Sequence, residues 1–227
     1  MFLVRNDKAQ GFLTALGTNT GRKVALGDFE KLERVKPNVQ GMHLRAKETY
    51  EKLRLLHFDQ TRKTVDKHVA ARTLATQLVQ AATNTRNEIV AQSNALSESG
   101  QRAADETFAP VGDRATYDAK TLDWIKETAA QPDGISKIKA EANKSIAVAS
   151  VLYNSPHFLT GLAEQVHSNM RLSAVEKYAP KAYAELQESV ELAGLVPKYD
   201  KFAANVHSSF YTPAIAEQAD TRVDIEA

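Results

Sequence analysis

The chain has no cysteine. That absence excludes disulfides, cysteine-ligated zinc, iron–sulfur clusters and thiol catalysis. No apolar run approaches the roughly 20 residues that a membrane span requires. Met1-Phe2-Leu3-Val4-Arg5 reaches a charge too early for a secretory signal, so a cytoplasmic setting, or incorporation in a virion, is expected. An excess of one charge is also lacking, with 29 Lys and Arg against 28 Asp and Glu. Internal repeats and low-complexity tracts are absent. So are the G-x-S-x-G elbow and the H-E-x-x-H helix. Nothing in the residues asks for a cofactor or a small-molecule substrate.

What is present is an ordinary globular composition. Of 227 residues, 43% are apolar and 25% charged, enough for one large domain or two small ones with a sizeable core. The near-neutral total hides an asymmetry. Residues 1–75 carry 15 Lys and Arg against 8 Asp and Glu, leaving 14 against 20 in the remainder. Charge separated along the chain points to a polyanionic partner for the first third, to head-to-tail association between copies, or simply to a solvated surface.

Glycine and proline divide the chain unevenly. Gly11, Gly17, Gly21, Gly27 and Gly41 crowd the start, then 58 residues pass without either residue type before Gly100. Later prolines, from Pro110 to Pro213, are spaced like joints between helices. The expected fold is therefore all-α: a long helix or helical hairpin, then a compact multi-helix bundle, preceded by a small irregular arm.

The boundaries follow the punctuation. Residues 1–41 form the arm, in which Phe12–Leu16 and Lys23–Leu26 flank Gly17-Thr18-Asn19-Thr20-Gly21 as a β-hairpin would. Asp28 caps a short helix over 29–36 that Pro37 stops. Residues 42–107 form the long helix or hairpin. Met42, Ala46, Thr49, Tyr50, Leu53 and Leu56 make one stripe and the residues from Ala71 to Leu96 another, out of register, with a break near Asp59–Thr61.

Residues 108–213 form the bundle and 214–227 a tail. Within the bundle, Tyr117, Thr121, Trp124 and Thr128 share a face. Pro156 opens a helix with Phe158, Leu162, Val166 and Met170 inside. Ser173-Ala174-Val175-Glu176 fits a capping box.

The second stripe of the long segment is slender. No aromatic residue occurs from 59 to 107, and a face of Ala, Thr, Leu and Ile needs another helix beside it. That helix comes from the same chain or from another copy, and Leu74, Leu78, Ala82, Thr85, Ile89 and Leu96 are the candidate contacts with other subunits in the second case.

The chemical candidates are weaker. Gly17–Val24 resembles a phosphate-binding loop but has three residues between its glycines, an intervening Arg22 and no magnesium-binding hydroxyl. Glu164 and His167 show the Glu-x-x-His spacing of a di-iron helix, but no second such pair exists. Arg45, Lys52, Arg54, Arg62, Lys63, Lys67 and Arg72 are candidate polyanion contacts, although Glu48 and Asp59 interleave with them at salt-bridge spacing.

The function expected from these residues is non-enzymatic: a structural or assembly subunit of a larger oligomeric complex. A phage virion component (internal, portal- or tail-associated) or a bacterial scaffold would suit it. The alternatives are a nucleic-acid-associated helical protein using the basic first third, and a helical-bundle metalloenzyme.

Overall fold

The computed structural model describes residues 2–219 and 221, and these are predominantly helical, with no β-strand among them. The chain divides into two compact units, one of Met1–Ser93 with Glu191–Ala227 and one of Asn94–Val190.

In the first unit, Asn6 caps α1 (Asp7–Gly17) by accepting from the Ala9 amide at 2.8 Å. Thr18 then caps α2 (Asn19–Leu26) by accepting from the Gly21 amide at 3.0 Å. The residues read as a β-hairpin turn are thus a helix-to-helix joint, and the two apolar runs are helical faces burying Leu13, Leu16 and Leu26. A side-chain cap at Thr18 satisfies amides that would otherwise be orphaned, which decides for helix over strand. Gly21 sits against α1 so closely that a Cβ would lie 2.0 Å from the Ala15 carbonyl oxygen.

Gly27 ends α2 with a positive φ of 94°. Asp28 does cap the segment beyond it, but only 3-10 turns at Phe29–Lys31 and Glu33–Val35 replace the expected helix. Pro37 lies in the first turn of α3 (Lys36–Phe58), opening a helix instead of stopping one. The first turn has amides without helical partners, so proline loses nothing there.

After α3 the chain turns over 59–63, where the Asp59 carboxylate accepts from the Thr61 amide at 2.8 Å and its hydroxyl at 2.6 Å. The long segment is therefore two helices. The second, α4 (Thr64–Thr107), has 44 residues, about 66 Å at ~1.5 Å per residue.

The unit is completed by α11 (Val196–Phe210) and α12 (Pro213–Ala216), each with proline in its first turn. α1 packs against α2, α3 and α11, and Phe12 meets Phe202 edge-on at 5.8 Å. Met42, Leu53, Leu78, Ile89, Tyr199, Phe202 and Phe210 are fully buried. The tail expected over 214–227 begins instead inside α12, whose Ala216 is buried, and continues in a 3-10 turn at Glu217–Ala219; residues 220 and 222–227 lie outside the described residues.

The second unit holds the end of α4, α5 (Ala115–Ala129), α6 (Gly134–Lys144), α7 (Ile146–Asn154), α8 (His157–Thr160), α9 (Glu164–Tyr178) and most of α10 (Pro180–Ala193). One core cluster joins Ala104, Phe108, Tyr153, Ala174 and Val175; another joins Ile125, Ile138, Leu152, Leu162 and Met170.

Three local expectations change here. On α5 the buried face is Thr121, Ile125 and Thr128, while Tyr117 and Trp124 are exposed. The helix from Pro156 lasts one turn before Gly161 takes φ 71°, leaving Phe158 70% exposed. Ser173–Glu176 lies inside α9, whose amides already have helical partners, so it caps nothing.

Packing this close predicts specific costs. Gly21→Ala should lower stability by about 1–3 kcal/mol through the clash with Ala15. The pair Leu78→Asp and Ile89→Asp should unfold the isolated chain, since two buried unpaired charges rival the whole stability of a domain. Tyr199→Phe should be neutral or stabilising, because the buried Tyr199 hydroxyl has no hydrogen-bond partner among the described residues. Urea unfolding followed by circular dichroism checks all three.

Candidate functional site

The stripe read as a subunit contact is core. Leu78, Ala82, Ile89 and Leu96 are buried within the single chain. Leu74 and Thr85 are half-buried, and the Thr85 hydroxyl donates to the Ala81 carbonyl at 3.0 Å. The small-residue face does need neighbours, and the chain itself supplies them.

The basic candidates lie around α3 and the start of α4. Arg45, Lys52, Arg54, Arg62 and Lys63 are exposed, Lys67 and Arg72 half-buried. Several are occupied locally: Arg54 pairs with Glu51 at 3.1 Å, Arg62 with Asp59 at 3.2 Å, and Lys67 Nζ donates to the His57 carbonyl at 3.1 Å. Arg45 and Lys52 share a shallow concavity with Glu48. Exposed Leu55 lines a second shallow concavity with Lys52 and Arg62, and Phe58 is exposed at the end of α3. Burial and then the positive charges of the N-terminus, Lys67 and Arg5 hold the His57 pKa below its ordinary value. The region is electropositive with apolar side chains in it.

Glu164 and His167 do not form a site. Glu164 is exposed, whereas His167 is buried with Nε2 3.0 Å from the Leu152 carbonyl. Among the described residues no group of three His, Asp or Glu side chains could hold a metal. Gly17–Val24 spans the α1–α2 joint, with no strand before it.

Two concavities of the second unit were not legible in the sequence. The first, of about 220 Å³, lies between the 109–111 segment, α5 and α7. Val111, Leu122, Ala147 and Val151 line it, with Arg114, Asp118 and Asn154 among its polar groups. Asn154 Nδ2 donates to the Phe108 and Ser150 carbonyls at 2.7 and 2.9 Å, anchoring that wall. Val111 is 67% exposed. The chain leaving the wall at Ser155 runs straight into exposed Phe158 and Leu159.

The second concavity, about 250 Å³, is lined by Gln101, Tyr153, Arg171, Leu172, Val175 and Leu186 among others. The Tyr153 hydroxyl donates to Asp105 Oδ1 at 2.7 Å and accepts from Gln101 Nε2 at 2.7 Å. Burial, then the Asp105 hydrogen bond and charge, push its pKa up. The Arg171 guanidinium lies 4.7 Å from the Tyr153 ring centre.

Three histidines, His43, His68 and His167, are buried and tie distant segments together. His43 Nε2 lies 2.9 Å from the Gly27 carbonyl, and His68 Nδ1 accepts from the Thr212 amide at 2.9 Å. His167 makes the third tie, to Leu152. Desolvation is the main cause lowering each pKa below 6.5.

No family model, curated protein or solved structure matches this chain. Among the described residues no helix is long and apolar enough to cross a membrane.

The histidines set a pH dependence. Unfolded, each takes up a proton near pH 6.5; folded, each resists it to lower pH, so the unfolded state binds more protons in between. Stability is expected to be full above pH 6.5 and to fall as pH drops through and below it. Urea midpoints at pH 7.5 and 5 measure this, and His68→Gln should flatten the dependence while lowering the midpoint at pH 7.5. A midpoint that stays level between the two pH values would contradict it.

Proposed function

We propose that the protein is a non-enzymatic assembly subunit that contacts its partners through the apolar groove of the second unit. The observation that carries this reading is the exposure of large apolar side chains at and beside one concave surface: Val111 at the groove, Phe158 and Leu159 following its wall. Groups of exposed apolar side chains are uncommon on monomeric surfaces and mark interaction sites. Because the α4 stripe is spent on the chain's own core, these residues replace it as the contact surface. A partner seated there meets a largely apolar floor with Arg114, Asp118 and Asn154 supplying polar contacts.

The test is the native mass of the protein by light scattering at low and high salt, with absorbance at 260 and 280 nm. A defined, salt-resistant oligomer that Val111→Asp and Phe158→Asp dissociate, without loss of helicity, is the expected result. A wild-type monomer whose mass neither substitution alters would sink self-assembly through this groove.

A second reading rests on the exposed cations Arg54, Arg62 and Lys63 and on exposed Phe58 at the end of α3, because a basic surface with an available aromatic ring suits single-stranded nucleic acid. It predicts salt-displaceable oligonucleotide binding that charge reversal of Arg62, Lys63 and Lys67 abolishes.

A further inference from the structure

We propose that Arg171 and the Tyr153 face beneath it form a binding site for a carboxylate carried on a short apolar skeleton. The site does not depend on the groove at Val111. It stands on a hydrogen-bond network closed on itself. Gln101 Nε2 donates to Tyr153 Oη at 2.7 Å and to Asp105 Oδ1 at 2.8 Å, while Tyr153 Oη donates to the same Asp105 oxygen at 2.7 Å. Both amide hydrogens and the phenolic proton are thereby spent on holding the tyrosine ring. Phe108 stacks on that ring with centroids 4.6 Å apart and planes 22° apart. One face is thus covered by Phe108, and the Arg171 guanidinium takes the other.

Arg171 itself is unspent. Among the described residues no carboxylate lies within salt-bridge distance of it and no hydrogen bond engages it; the tyrosine face is its partner. Asp105, the nearby carboxylate, is turned to Tyr153 and Gln101. A guanidinium held 4.7 Å from the centre of a fixed ring has its fork of donors placed before a ligand arrives, which lowers the entropy lost on binding. The group that matches such a fork is a planar carboxylate, held by two parallel N–H···O bonds.

The rest of the pocket sets the ligand's other end. Leu172, Val175 and Leu186 line it beside Ser168, and Leu172 is 43% exposed. An apolar wall with one converging charge is the arrangement of a small-ligand site. Its volume of about 250 Å³ leaves room for a short carbon chain behind a planar head group. A six-carbon carboxylate has that form, as does the terminal residue of a peptide with its free carboxylate.

The experiment records the Arg171 Nε–Hε and Tyr153 ring resonances of the full-length protein by NMR. The probes are sodium hexanoate, its neutral counterpart hexanamide, and a peptide ending in Leu-Leu with a free or an amidated C-terminus. Saturable shifts with a carboxylate, absent with the matching amide, are expected at millimolar concentrations. Arg171→Gln should weaken binding by about tenfold or more. Leu172→Glu, which places a competing carboxylate at the rim of the pocket on an exposed position, should do the same, and this arm decides if Arg171→Gln does not fold. Saturation by hexanoate supports the site and identifies a free small acid; saturation by the peptide alone supports it and identifies a partner's chain end. No saturable shift with either carboxylate up to about 20 mM, a limit set by millimolar affinity, would overturn the proposal. So would equal shifts with the amides, or shifts that survive Leu172→Glu.

Discussion

Small side chains along α4 govern how closely its neighbours can approach, and both compact units use that property. In the second unit the limiting point is Gly100, where a Cβ would lie 3.0 Å from the Ala182 carbonyl oxygen and 2.9 Å from Leu186 Cγ. Ala104 and Ala182 continue that seam within one buried cluster. In the first unit Ala71, Ala75 and Leu78 are buried at successive turns of the same helix. Helices in such contact gain dispersion energy from many short atom pairs, and they lose it quickly when any side chain grows. The absence of aromatics from 59 to 107 is thus the compositional side of a packing requirement.

Polar ties then hold segments that the apolar packing alone would leave unregistered. Each buried histidine bridges a separation in sequence, from 15 residues between His167 and Leu152 to 144 between His68 and Thr212. The His68 tie is the most demanding, because its Nδ1 must be unprotonated to accept the amide. Arg22 works similarly at short range. It is buried, and its Nη1 donates to the Leu16 carbonyl at 2.9 Å, placing a positive charge where the α1 dipole is negative. Such ties cost stability if broken and contribute specificity of arrangement while they hold.

The functional consequence is a redistribution of surfaces. A stripe that reads as an intermolecular contact is consumed internally, while Phe158, which reads as core, faces outward together with Val111 and Leu159. Arg171 follows the same pattern from the polar side. It is one arginine of an unremarkable helix until Tyr153, from a different helix, is placed beneath it.

Local punctuation carried much of the secondary structure. Asp28 as a cap and the break near Asp59 are both present where residue type and short-range spacing place them. Those features depend on backbone amides and carbonyls within a turn of the residue concerned, so the amino-acid order by itself determined them, together with the all-α class. Burial is different. Whether Phe158 points in, whether the Leu78–Ile89 face meets its own chain or another, and whether Arg171 finds a tyrosine ring depend on residues far apart in sequence. Periodicity says that a face is apolar but carries no information about what covers it. The tertiary structure decided that, because the covering side chains converge only when the helices pack.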